Sequence, residues 1–245
     1  MRDALSQPTP PPDRTLAYGP GPDQVLDLRL PFVASTLPLV VFLHGGFWRA
    51  AWDRAHTGPL AADLALRGFP VACLEYRRTG QPGGGWPGTF DDVLAGVRAA
   101  PELVGSPGPP ILAGHSAGGH LALWAASRVP VRGVLALAPV ADLVEGYRLG
   151  LGGGAVADLL GGPPERVPQR YAAADPAPAA VPTIVLHGQC DAHVPVQLSR
   201  AYAARAGAAV RLVELPDTEH FGLINHRSGA WPTVIDALMT LGAQW

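Results

Sequence analysis

Gly114-His115-Ser116-Ala117-Gly118, with Gly119 behind it, is the segment of this chain most capable of chemistry. A serine hydroxyl becomes a nucleophile when it stands beside a base that takes its proton. The apolar run Ile111-Leu112-Ala113 leads straight into the serine, and an Ala/Leu-rich stretch follows it. That is the strand–turn–helix setting in which a serine is exposed on a sharp elbow. The flanking glycines fit such an elbow, because neighbouring elements approach where a side chain would clash. The competing reading is a glycine-rich helix cap carrying a solvated serine.

His44-Gly45-Gly46-Phe47-Trp48 lies about 70 residues earlier, directly after the apolar run Leu39-Val40-Val41-Phe42-Leu43. Small residues leave backbone N–H groups unobstructed, as an oxyanion hole requires when charge develops on a carbonyl oxygen. The expected donors are the amides of Gly46, Phe47 and Ala117. Taken alone, the Gly-Gly pair is an ordinary turn; paired with the elbow, it reads as the anion site.

The serine also needs a base and an acid that orients the base. Asp191 follows the apolar run 183–186 and His220 follows the run 210–215, so each sits in a loop at the end of an expected strand. Asp142 is an alternative acid one strand earlier, or a helix cap. Asp217 and Glu219 lie too near His220 along one loop to be the preferred acid, and His226 is a weaker base. His187, His193 and Asp191 lack an organised fourth metal ligand and read as polar structural groups. His115 and His120 read as local packing or hydrogen-bonding residues. The two cysteines, Cys73 and Cys190, are too few for a disulfide framework or a zinc site, and Cys190 reads as a small buried residue.

These residues need a scaffold, and the pattern supplies one. Residues 1–22 read as an irregular Pro-rich arm. Strands are expected over 24–30, 39–43, 69–76, 110–113, 131–138, 183–186 and 210–215. Helices are expected over 54–67, 89–100 (closed by Pro101), 117–128, 196–206 and 232–242. Alternation of this kind argues for a mostly parallel, doubly wound α/β sheet with helices on both faces. Residues 143–180 break the rhythm with Gly150-Leu151-Gly152-Gly153-Gly154 and Gly161-Gly162-Pro163-Pro164, and read as a small cap of short helices. The expected organisation is an arm, 1–22, and one domain, 23–245, with the cap inside it.

The chain has 245 residues, 48% hydrophobic and 16% charged, with a net charge of −2. No stretch concentrates arginine as a phosphate-binding surface would, so nucleic acid is not an expected partner. Apolar runs are interrupted within about ten residues, well short of the roughly 20 that span a bilayer. With no signal-like apolar segment at the N-terminus, a cytoplasmic location is expected. The run Gly83-Gly84-Gly85-Trp86-Pro87 is no phosphate loop, since no Lys or Ser/Thr follows to reach a nucleotide.

The sequence resembles the α/β-hydrolase superfamily, in the branch of small carboxylesterases with kynurenine-formamidase-like and feruloyl/acetyl-esterase-like members. The resemblance rests on Tyr18-Gly19-Pro20 with Gln24 and Asp27, His44 to Trp48, Glu75-Tyr76-Arg77, Gly114 to Gly119, His187-Gly188 with Asp191, Val194 and Pro195, and His220-Phe221. It spans residues 18–242. Phe47 stands where many lipases of the hormone-sensitive type have a third glycine. The resemblance implies an α/β-hydrolase fold with the cap inserted after that fold's sixth strand, here 131–138. It implies a Ser116–His220–Asp191 triad, an acyl-enzyme, and no metal or organic cofactor. Phe47, Trp48, Trp86 and the segment 143–180 are expected to line an apolar pocket for a small or aromatic ester. An arylformamidase acting on N-formylkynurenine is the alternative, and a non-catalytic binding protein on the same fold a remote one.

Overall fold

A computed structural model of the chain describes residues 5, 7–178 and 180–243. Its centre is an eight-stranded sheet in the order β1-β2-β4-β3-β5-β6-β7-β8. The strands are β1 (Arg14–Ala17), β2 (Val25–Arg29), β3 (Val40–Leu43), β4 (Val71–Leu74), β5 (Ile111–His115), β6 (Gly133–Leu137), β7 (Thr183–Gly188) and β8 (Val210–Leu215). β2 runs antiparallel to both β1 and β4, while the pairs from β4 through β8 are parallel.

The parallel strands read as unbroken apolar runs because both of their faces are covered. Val41, Leu43, Leu112, Val134 and Ala136 enter one core layer, and Val40, Phe42, Ile111, Ala113, Leu135 and Leu137 the other. The first layer is closed by α2 (Gly88–Val104), α3 (Ala117–Ala126) and α7 (Val196–Ala206), through residues such as Phe90, Val93, Leu121 and Tyr202. The second is closed by α1 (Gly58–Leu66) and α8 (Trp231–Ala243), through Leu60, Leu64, Val234 and Leu238. Each fully buried aliphatic side chain of this kind contributes roughly 1.5–3 kcal/mol.

Between β6 and β7 the chain forms three short helices, α4 (Leu143–Arg148), α5 (Ala155–Leu160) and α6 (Pro168–Ala174). Asp142 caps the first of them, accepting from the Glu145 amide at 2.8 Å. Two expectations need correction. The N-terminal stretch is not irregular throughout, since β1 lies within it and pairs residue for residue with β2. Its polar, exposed sequence hid the strand, which needs only an edge to bind. Nor does Pro101 close α2: it lies in the last turn, where the missing N–H costs one bond, and the helix stops at left-handed Gly105 instead.

Candidate active site

In an open α/β sheet, a cleft forms where successive connections leave in opposite directions. That reversal falls here between β3 and β5, and their C-terminal ends carry His44-Gly45-Gly46 and Ser116. Two motifs distant in sequence are thereby set side by side.

Ser116 stands between β5 and α3 with φ 57° and ψ −118°. A non-glycine residue in such a conformation costs about 1–3 kcal/mol and persists only where its surroundings enforce it. They do so through the backbone. The Ser116 amide donates to Leu137 O at 2.8 Å, and its carbonyl accepts from the His120 amide at 3.0 Å. The glycines have a steric cause: a Cβ on Gly118 would lie 2.0 Å from Leu43 O, and one on Gly114 would lie 2.3 Å from Gly118 O.

The loop after β3 passes against this elbow, since a Cβ on Gly45 would come within 3.2 Å of Ser116 Cβ. Gly46, Phe47 and Trp48 all have positive φ, at 109°, 52° and 56°. Among the described residues, the amides of Gly46, Phe47 and Ala117 donate to no protein acceptor. A buried polar network holds the loop in this shape. Glu75, 1% exposed, lies 2.8 Å from His44 Nε2 and accepts from the Arg54 amide at 3.0 Å. Tyr76 Oη donates to His44 O at 2.7 Å, and Tyr18 Oη to Glu75 O at 2.7 Å. Burial alone would raise the Glu75 pKa, but its hydrogen bond to His44 and the charges of His44 and Arg78 hold it at about 2.

The Asp191–His220 pair is assembled. Asp191 Oδ2 accepts from His220 Nδ1–H at 2.6 Å. Its Oδ1 accepts the amides of His193 and Val194, each at 2.8 Å. Desolvation opposes the Asp191 charge, yet hydrogen bonds from His187 and His220 hold its pKa far below the usual carboxylate range. His115 Nε2–H donates to His220 O at 3.0 Å and fixes the backbone that carries the ring. His193 stacks on His220 with ring centroids 5.1 Å apart. Burial lowers the His220 pKa below 6.5, against the pull of Asp191.

Ser116 and His220 line one cavity of about 150 Å³, together with Gly46, Phe47, Trp52, His56, His115, His193, Phe221 and Leu5. They make no direct hydrogen bond to each other; in unliganded hydrolases that contact is often long and tightens on binding. A larger cleft of about 680 Å³ lies at the opposite end of β7 and β8, where Arg211 is the one charged residue of its described lining. The smaller cavity is the one that brings Ser116 and His220 together.

Two of the expected pocket residues, Trp48 and Trp86, are not in the lining of this cavity. Trp48 is wholly buried and packs edge-on against His120, because its positive-φ backbone turns the ring into the core. Trp86 packs on Phe90, and its amide bonds to Leu159 O at 2.8 Å, tying it to the cap. Of the expected pocket aromatics Phe47 does line the cavity, and Trp52 and Phe221 join it there. Trp52 and His56 follow the glycine loop by only a few residues, and that proximity was the available signal. Cys190 is exposed rather than buried, its thiol donating to Pro216 O at 3.2 Å. Among the described residues no His/Cys/Asp/Glu group is arranged to hold a metal, and no helix is long and apolar enough to cross a membrane. Asp142 pairs with Arg205 away from this cavity.

The sheet order, the strained serine elbow and the cap after β6 define an α/β-hydrolase fold. A family model described as BD-FAE matches residues 26–205, and the chain belongs to that family of hydrolases. It is 36% identical over 121 residues to an isoprenylcysteine alpha-carbonyl methylesterase of Arabidopsis thaliana, covering 46% of this chain and 27% of the relative. It is 25% identical over 234 residues to a kynurenine formamidase of Salmo salar, covering 84% of this chain and 74% of the relative. The chain thus spans about a quarter of the plant protein's length and three-quarters of the fish protein's. A solved structure of a truncated carbohydrate esterase from gut microbiota superposes with a TM-score of 0.79 at 17% identity, covering 99% of each chain.

Proposed function

We propose that the protein is a serine carboxylesterase that cleaves the ester of a small or aromatic substrate through an acyl-enzyme. The observation that carries this is the 2.6 Å Asp191–His220 bond beside a cavity that His220 shares with a positive-φ Ser116. In this reading His220 Nε2 takes the Ser116 proton as Oγ attacks the ester carbonyl. Asp191 holds the Nδ1–H tautomer and stabilises the imidazolium. The amides of Gly46, Phe47 and Ala117 receive the oxyanion, each worth about 2.7–4 kcal/mol by analogy with measured donors. His220 then protonates the departing alcohol, and later activates the water that releases the acid. The small cavity volume, with Leu5, Phe47, Trp52 and Phe221 in its wall, supports a short acyl group or a single ring.

A second reading, an arylformamidase, uses the same groups on an N-formyl amide. The similarity to a kynurenine formamidase along 84% of this chain favours it. Steady-state hydrolysis of N-formyl-L-kynurenine beside short p-nitrophenyl esters separates the two. The expected result is ester turnover that Ser116→Ala reduces by about 10⁶-fold with the fold intact. A kcat/KM for the formamide far above the esters replaces the first reading with the second. Turnover that survives Ser116→Ala would sink both, and loss of all turnover in the wild type would favour a binding protein.

A further inference from the structure

One residue of the cavity wall comes from none of the motifs. Leu5, in the Pro-rich N-terminal stretch, lines the same space as Ser116 and His220. The stretch behind it is fastened to the body at several points. Arg29, 5% exposed on β2, donates to Pro10 O at 2.7 Å and to Pro11 O at 2.9 Å. Asp13 Oδ2 accepts the Leu30 amide at 2.6 Å, and the Asp13 amide donates to Leu28 O at 2.9 Å. The Thr9 methyl seats on Gly58 at the start of α1, where any Cβ would overlap it at 2.0 Å. Gln7 Nε2 then donates to Asn225 Oδ1 at 3.0 Å, one residue past the turn His220–Ile224.

The arm therefore passes from α1 to the segment that carries His220, and these are two sides of the cavity. Trp52 and His56 line it just ahead of α1, and His220 and Phe221 line it from the other end of that span. Leu5 also packs against the core layer that contains Leu223 and Ile224. A buried arginine gripping two prolyl carbonyls makes a fixed strap. Proline carbonyls suit that grip, since their residues carry no N–H to satisfy and a restricted backbone to position.

We infer that this arm is a strap across the active site and that Leu5 sets the size of substrate group the cavity admits, an inference that rests on the ester-hydrolase reading. The cavity holds about 150 Å³ with Leu5 in its wall. Shortening that side chain lengthens an apolar space, and a bulkier one closes it. Pockets of this kind discriminate one methylene by roughly 10–200-fold in kcat/KM. The strap thus makes the enzyme selective for short or compact groups.

The test uses the full chain as wild type, Leu5→Ala and Leu5→Trp, each checked for an unchanged circular dichroism spectrum. One substrate series is p-nitrophenyl acetate, butyrate, hexanoate and octanoate; the other is methyl, phenyl and 2-naphthyl acetate. In the series whose variable group occupies the cavity, Leu5→Ala is expected to raise the long-to-short ratio of kcat/KM by roughly tenfold or more, and Leu5→Trp to lower it. Gln7→Leu, which releases the Asn225 tether, is expected to shift the ratio in the same direction as Leu5→Ala. Ratios within twofold of wild type in both series, with hydrolysis still dependent on Ser116, overturn the strap alone. Absence of Ser116-dependent hydrolysis in the wild type overturns the strap together with the reading it rests on.

Discussion

At the scale of single residues, the carboxylate of Asp191 is saturated. One oxygen accepts two backbone amides and the other faces His220 at 2.6 Å and His187 at 3.3 Å. Asp191→Asn keeps an oxygen for the amides but presents an N–H or a neutral oxygen to Nδ1, so the wrong imidazole tautomer is favoured. The expected loss in kcat is about 10⁴-fold with little change in thermal stability, measured by steady-state kinetics beside a melting curve. The pH profile follows from the same ring. His220 must be neutral to act as a base, and burial lowers its pKa below 6.5. Activity is therefore expected to rise with pH along an acid limb whose midpoint lies below 6.5, and to be full by neutrality. A kcat/KM limb centred at 7 or above would contradict that assignment.

At the scale of elements, the elbow depends on backbone approaching backbone. Gly118 lets α3 start against the end of β3, and a Cβ there would overlap Leu43 O at 2.0 Å and His44 O at 2.4 Å. Neither atom can rotate away. Gly118→Ala is expected to cost about 3 kcal/mol or more, or to leave the protein insoluble; urea denaturation measures it. Gly105, which ends α2, is the informative contrast. Its Cβ would meet nothing within 4 Å, but its φ is +69°, so Gly105→Ala should cost only the left-handed penalty of about 1–2 kcal/mol. Equal costs at the two positions would remove the steric account of the elbow. The Ser116 motif was legible in sequence for this reason, since the spacing of its glycines records where backbones must touch.

At the scale of the whole molecule, the cap is joined to the body through a strained charge. Asp175, just after α6, accepts the Leu143 amide at 2.7 Å and stands 3.9 Å from Arg205. Burial raises its pKa to about 6, with the charge of Asp142 adding to the effect. A carboxyl whose folded pKa is raised loses stability as pH climbs from its unfolded value near 3.8 through about 6, because ionisation then opposes folding. Asp175→Asn keeps the acceptor and removes the charge. It is expected to raise the melting temperature at pH 8 by about 2–4 °C, corresponding to about 1 kcal/mol once its one-third exposure is allowed for. The gain should vanish toward pH 4. A gain that is independent of pH would point to packing instead. What the amino-acid sequence determined by itself was whatever is encoded locally: the parallel strands through unbroken apolar runs, the elbow through its glycines, and Ser116, Asp191 and His220 through their places at the ends of those strands. Tertiary structure alone decided what fills the cavity. Trp48 reads like a pocket aromatic beside the glycine loop, yet its backbone turns it into the core. Leu5 reads like part of an idle arm, yet Arg29, Gly58 and Asn225, far apart in the chain, hold the arm so that Leu5 lines the cavity of Ser116. Strand periodicity is a property of neighbouring residues. A cavity wall is assembled from residues whose only relation is the path of the chain, and no local pattern records that path.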